Sequence, residues 1–141
     1  MVQINLSGII DTEERSIHFS CERKGWIFPE IKRITYSSGN KELKTETITS
    51  LQTYWNTKNL TSSDEDKFYE KLQSSKFFDM EDKYPPAEGS ADVRTFTLFV
   101  FIVSPIIITG TAANSIKSVT WSDGSSAPKS LVDLAEYIES L

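Results

Sequence analysis

Hydrophobic positions along this chain alternate with polar ones in several short runs and recur at helical spacing in two others. In "SIHFSCER", Ile17, Phe19 and Cys21 fall on one face and His18, Ser20 and Glu22 on the other, the pattern of a half-buried strand. After "KGWIFPE" the alternation returns in "IKRITY", and "SSGN" supplies Gly39 and Asn40 for a turn with positive φ. "KELKTETIT" then reads as the return strand, with Leu43, Thr45 and Thr47 set against Glu42, Lys44 and Glu46. Its thin apolar content predicts an edge position. At the start of the chain Ile4 and Leu6 share one side of a short run that ends at the polar "DTEER", so residues 1–16 are expected to add an N-terminal strand.

The most apolar run is "FTLFVFIVSPIIITG". A membrane-spanning helix needs roughly 20 consecutive apolar residues. Phe96 to Ile108 is thirteen residues long and is interrupted by Thr97, Ser104 and Pro105. Its Phe, Val, Ile and Thr content favours a pleated strand, and Pro105 is expected to end it. The prediction is a strand from about Arg94 to Val103, followed by a turn or short extension through "SPIIITGTAAN". Phe96, Leu98, Val100 and Ile102 lie on one side of that strand and Phe99, Phe101 and Val103 on the other. Either both faces are covered, or one is an apolar patch open to a partner or a second copy.

Two segments carry helical spacing. "TSSDEDKFYEKLQSSKFF" places Ser62 and Glu65 as a capping box, an acidic cluster at the positive end of the dipole, and Phe68 and Leu72 four apart on a buried face. "YPPAEGSA" is a loop. "NSIKSVTW" is a strand with Ile116 and either Val119 or the Ser118 and Thr120 set facing inward, and "SDGSSAP" turns the chain. Ser126 is placed to cap a last helix with Pro128 in its first turn, and Leu131, Leu134, Ala135, Ile138 and Leu141 form its stripe. Strands, helix, strands, helix is an α+β order. It predicts an antiparallel sheet of about five or six strands with two helices packed on one face.

Composition places this pattern in one domain over residues 1–141: the chain is 38% hydrophobic and 25% charged, with few Gly and Pro, long enough for one core. The net charge is -5, which argues against nucleic acid as a partner because phosphate neutralisation needs a basic surface. Residues 1–60 are near +1 and residues 61–141 near -6. With a single Cys no intramolecular disulfide forms, and the N-terminus lacks a basic segment followed by a continuous apolar run. A cytoplasmic protein with no membrane association is expected.

Groups able to do chemistry are sparse, and no enzyme, cofactor or metal is expected. His18 is the only histidine, on the polar side of its strand, and catalysis would need a nucleophile or carboxylate beside it. His18 and Cys21 lie on opposite strand faces and make no metal site. Cys21 alternates inward, which predicts a buried, inert thiol in spite of the nearby Arg23 and Lys24. Asp79, Glu81 and Asp82 lack the oxygen-rich, glycine-centred loop of a calcium hand and read as a solvated acidic turn. No phosphate-binding glycine loop, G-x-S-x-G or H-E-x-x-H motif occurs.

The segment "CERKGWIFPEIKR" stands apart, because Trp26, Ile27 and Phe28 sit between Gly25 and Pro29 with Arg23, Lys24, Lys32 and Arg33 on either side. Three readings are open. The aromatic residues close the end of the core, anchor a protein interface, or stack on bases with the cations on phosphates.

"FSCERKGWIFPEIKRITYSSGN", "LQSSKFFDMEDKYPP" and "SVTWSDGSSAPKSLVDLAEYI" together resemble the small proteins related to emfourin, an inhibitor of protealysin-type, thermolysin-like metallopeptidases. The resemblance covers residues 17–141 in layout, through core and turn positions that carry fold more than function. Where the family shows a Ser-Gly-Gly-Phe-like turn this chain has Lys24, Gly25, Trp26 and Ile27, with Gly25 alone matching; "SPIIITGTAA" looks like an insertion into a short hairpin, and residues 1–16 like an added strand. The resemblance implies a non-enzymatic protein-binding module, with a peptidase as the partner and Lys24, Gly25, Trp26, Ile27 and Phe28 as the binding loop. The alternative is a structural module that forms a homodimer through the Phe96 to Ile108 ribbon.

Overall fold

In the computed structural model, which describes residues 16–25, 30–89, 93–106 and 111–141, the alternating runs assemble into a single sheet. Its strands are β1 (Ser16–Lys24), β2 (Ile31–Ser37), β3 (Glu42–Ile48), β4 (Thr53–Asn59), β5 (Lys83–Tyr84), β6 (Thr95–Ile106) and β7 (Thr111–Ser122). Their order is β4-β3-β2-β1-β6-β7-β5. Every neighbouring pair is antiparallel except β5 on β7. Among the described residues two helices, α1 (Ser62–Ser75) and α2 (Lys129–Ser140), complete the α+β architecture. No helix among the described residues is long and apolar enough to cross a membrane.

Both helices cover the same face of the sheet. That face carries Ile17, Phe19 and Cys21 of β1, Ile34 and Tyr36 of β2, Phe96, Leu98, Val100 and Ile102 of β6, and Val119 and Trp121 of β7, all buried. The α1 residues Phe68 and Leu72 and the α2 residues Leu131, Leu134, Ala135 and Ile138 meet them. Phe68 stacks on Phe19 with ring centroids 4.5 Å apart. The helices also touch each other, with the Lys71 ammonium 4.9 Å from the Tyr137 ring centre. Removal of these apolar groups from water, at about 25 cal/mol per Å², is the main force holding the layers together.

Several local expectations are corrected. Among the described residues the sheet has seven strands, not five or six. β3 is not an edge, because "TYWNTKN" forms β4 outside it. Pro105 does not end β6, which runs on to Ile106 opposite Thr111. The reason lies in the ladder: Asp123 N–H donates to Arg94 C=O, which puts the even-numbered residues of β6 in bonding register with β7 and turns the odd ones towards β1. Pro105, with no N–H to donate, therefore faces the β1 side, beyond the Ser16–Val103 pair that ends the described β1 ladder. The cap of α1 is Thr61 with Asp64, one residue earlier than the expected Ser62 and Glu65. α2 is capped by Pro128 with no side-chain hydrogen bond, so Ser126 does not serve. Ile116 points away from the helices and is 63% exposed, whereas Val119 is fully buried. The expected N-terminal strand lies outside the described residues, apart from Ser16 in β1.

Candidate functional site

The predicted loop begins where the β1–β2 hairpin closes. Lys24 pairs with Ile31, and the Gly25 N–H donates to the Glu30 carbonyl at 2.9 Å. Lys24 is exposed, with its ammonium 3.6 Å from Glu22. Trp26, Ile27 and Phe28 lie outside the described residues. At the same end of the sheet, on the helix side, Arg23 and Lys32 each approach Glu139 of α2 at 3.4 Å. Beside them a cleft of about 240 Å³ opens between β6, the β7–α2 turn and α2, lined by Arg94, Phe96, Trp121, Asp123, Val132 and Glu136 among others. Its floor is the Phe96–Trp121 stack, 5.2 Å between centroids. Arg94 clamps Asp123 through Nε at 2.8 Å and its backbone N–H at 3.0 Å, which holds the Asp123 carboxyl below the ordinary range. Arg94 and Asp123 of its lining pair with each other, while Glu139, also in the lining, is the residue approached by Arg23 and Lys32.

Among the described residues no helix lies over the opposite face of the sheet. Phe99, Phe101 and Val103 of β6 point into it, half-buried. Ile116 of β7 sits directly opposite Phe101, and on the other side the His18 ring stacks on Phe101 at 6.1 Å. Two rows along, Glu22, Arg33, Glu46 and Trp55 stand opposite one another across β1 to β4. Arg33 donates to Glu22 from Nε at 3.0 Å and from Nη2 at 2.8 Å, with Nη1 3.9 Å from Glu46. Trp55 is 65% exposed. The result is an apolar patch on β6–β7 with a charged, aromatic-ended flank towards β4.

The chemistry-bearing residues are dispersed. His18 Nε2 lies 3.2 Å from Ser16 Oγ. Cys21 is buried, and burial, with Glu139 nearby, pushes its thiol up from 9.0 to about 12. Asp82 pairs with Lys117 at 2.7 Å. Among the described residues no three of His, Cys, Asp and Glu gather to hold a metal ion.

Sequence reasoning missed the exposed aromatic pair Tyr54 and Trp55. Its signal was the β-branched and aromatic content of "TYWNTKN", which favours a strand even where burial does not alternate. Comparison with models of known protein families and with curated proteins finds no match.

Proposed function

We propose that this chain is a non-enzymatic protein-binding module that receives its partner on the helix-free face of the sheet. The observation that carries the reading is the one-sided cover among the described residues: both described helices pack on the same face, and the other presents Phe99, Phe101, Val103 and the 63%-exposed Ile116 as one apolar strip. Contiguous exposed apolar surface on a soluble domain marks an interaction site. The hairpin residues Lys24, Gly25, Trp26, Ile27 and Phe28 form the second contact in this reading, supported by their sequence and by the resemblance to peptidase inhibitors. A metallopeptidase of the thermolysin type is the first partner to try.

The homo-oligomeric alternative is narrowed by the same geometry. Phe96, Leu98, Val100 and Ile102 are consumed by the core, so among the ribbon's described side chains the outward Phe99, Phe101 and Val103 are the ones placed to meet a second chain.

The test is a titration of a thermolysin-type metallopeptidase with the protein, paired with capture from cell lysate on wild-type protein and on an Ile116→Asp, Phe99→Ser double variant. The reading expects a partner that the wild type holds and the variant releases, with the variant's melting temperature close to wild type. A partner held equally by both would overturn it. Peptidase activity unchanged at molar excess of the protein would remove that class of partner.

A further inference from the structure

We propose that β4 is a self-association edge: two copies of the chain join antiparallel across a twofold axis at Asn56 and continue one sheet into the next. β4 is the outermost long strand among the described residues, and all seven of its residues are exposed. The other edge, β5, is two residues long. Long edges are normally guarded by proline, bulges or several charges. β4 has a single charged residue, Lys58, and no proline.

The backbone decides which registers are open. Thr49 N–H donates to Gln52 C=O and Leu60 N–H to Lys41 C=O, both at 2.9 Å, and these bonds frame the β3–β4 ladder. The bonded pairs between them are Thr47–Tyr54, Thr45–Asn56 and Leu43–Lys58. The N–H and C=O groups of Thr53, Trp55, Thr57 and Asn59 consequently point outward. An antiparallel copy centred on Asn56 sets Thr53 opposite Asn59 and Trp55 opposite Thr57. Each outward donor then meets an outward acceptor along the whole strand. A slip of one residue would set outward groups against residues already bonded to β3.

Side chains agree with that register. Lys58 of one copy falls opposite Tyr54 of the other, on the face that carries the helices, and the exchange occurs twice by symmetry. A cation beside an aromatic ring across a strand pair is attractive. The one charge that would repel an unrelated edge is thus matched by this strand's own sequence, which favours a second copy over an arbitrary extended peptide. Opposed residues in an antiparallel pair share a face, so the helices of both copies lie on one side and the two helix-free faces merge on the other.

Light scattering across a concentration series tests this. Wild type is expected to move from monomer towards twice the monomer mass. Thr57→Pro, which removes an outward N–H and leaves the β3–β4 bonds intact, is expected to stay monomeric with a near-native melt. Ile116→Asp, on the helix-free face, is expected to associate like wild type. A second measurement fixes the register and does not depend on the proline variant folding. Asn56→Cys lies on the axis and is expected to form disulfide-linked dimers under mild oxidation at least tenfold faster than Ser74→Cys, on the exposed side of α1; native Cys21 is buried. A wild type that is monomeric throughout, a Thr57→Pro that dimerises normally, or equal cross-linking at the two cysteines would each overturn the proposal.

Discussion

The Tyr36 hydroxyl donates a hydrogen bond to Glu65 Oε2, joining β2 to α1 inside the layer between sheet and helix. Glu65 is 8% exposed, and the Lys41 ammonium lies 3.7 Å from its Oε2. A carboxylate in that position depends on its donors, since burying it without them costs more than the bond itself contributes. Tyr36→Phe is expected to lower stability by about 1–3 kcal/mol, the usual cost of leaving a buried polar group short of a partner. Urea unfolding measures it. Glu65→Gln, which keeps an acceptor for the tyrosine, is expected to cost less.

Alkaline pH should act on the same region. Burial first, then the hydrogen bond to Glu65, raises the Tyr36 pKa above its ordinary 10.0, and burial raises Cys21 from 9.0 to about 12. Both groups are neutral when protonated, and the fold holds the proton more tightly than the unfolded chain does. Their contribution is therefore complete below pH 9 and is lost as pH rises through the raised values. The melting temperature is expected to fall steadily above pH 9 and to fall less steeply in a Tyr36→Phe, Cys21→Ala variant. Under native conditions at pH 8, Cys21 should resist a thiol reagent and react at once in denaturant.

The start of α1 provides a test of cap position. Thr61 Oγ1 accepts from the Asp64 N–H at 3.1 Å, while the Asp64 carboxylate accepts from the Thr61 N–H at 2.9 Å and is held below its ordinary pKa by that bond. Thr61→Ala is expected to cost about 1 kcal/mol, whereas Ser62→Ala, one residue on, should be close to neutral in the same thermal melts. The cap contribution is present at neutral pH and is lost as pH falls through the Asp64 titration.

What could be seen in the chain beforehand followed from burial. Ile17, Phe19 and Cys21, or Phe96, Leu98, Val100 and Ile102, announce their strands because every second side chain must leave water. Leu131, Leu134, Ala135 and Ile138 do the same for α2. β4 has no buried side at all, so no alternation marks it, and the hydrophobic pattern alone makes β3 look like an edge. Pro105 misled because its tolerance depends on which side of β6 its nitrogen faces, a property of the ladder and not of the residue. Ile116 is apolar yet exposed, since much of any folded surface is contributed by apolar atoms. For the candidate site, the sequence exposed the hairpin at Gly25, while the helix-free face became visible only once both helices were seen on the same side.

The most direct measurement is residue-level covalent footprinting of the free protein and of the protein saturated with the partner that capture identifies. The account predicts protection of Phe99, Phe101 and Ile116 with no change at Val132, which is exposed on α2. Protection at Val132, with Phe101 and Ile116 still labelled as in the free protein, would contradict it.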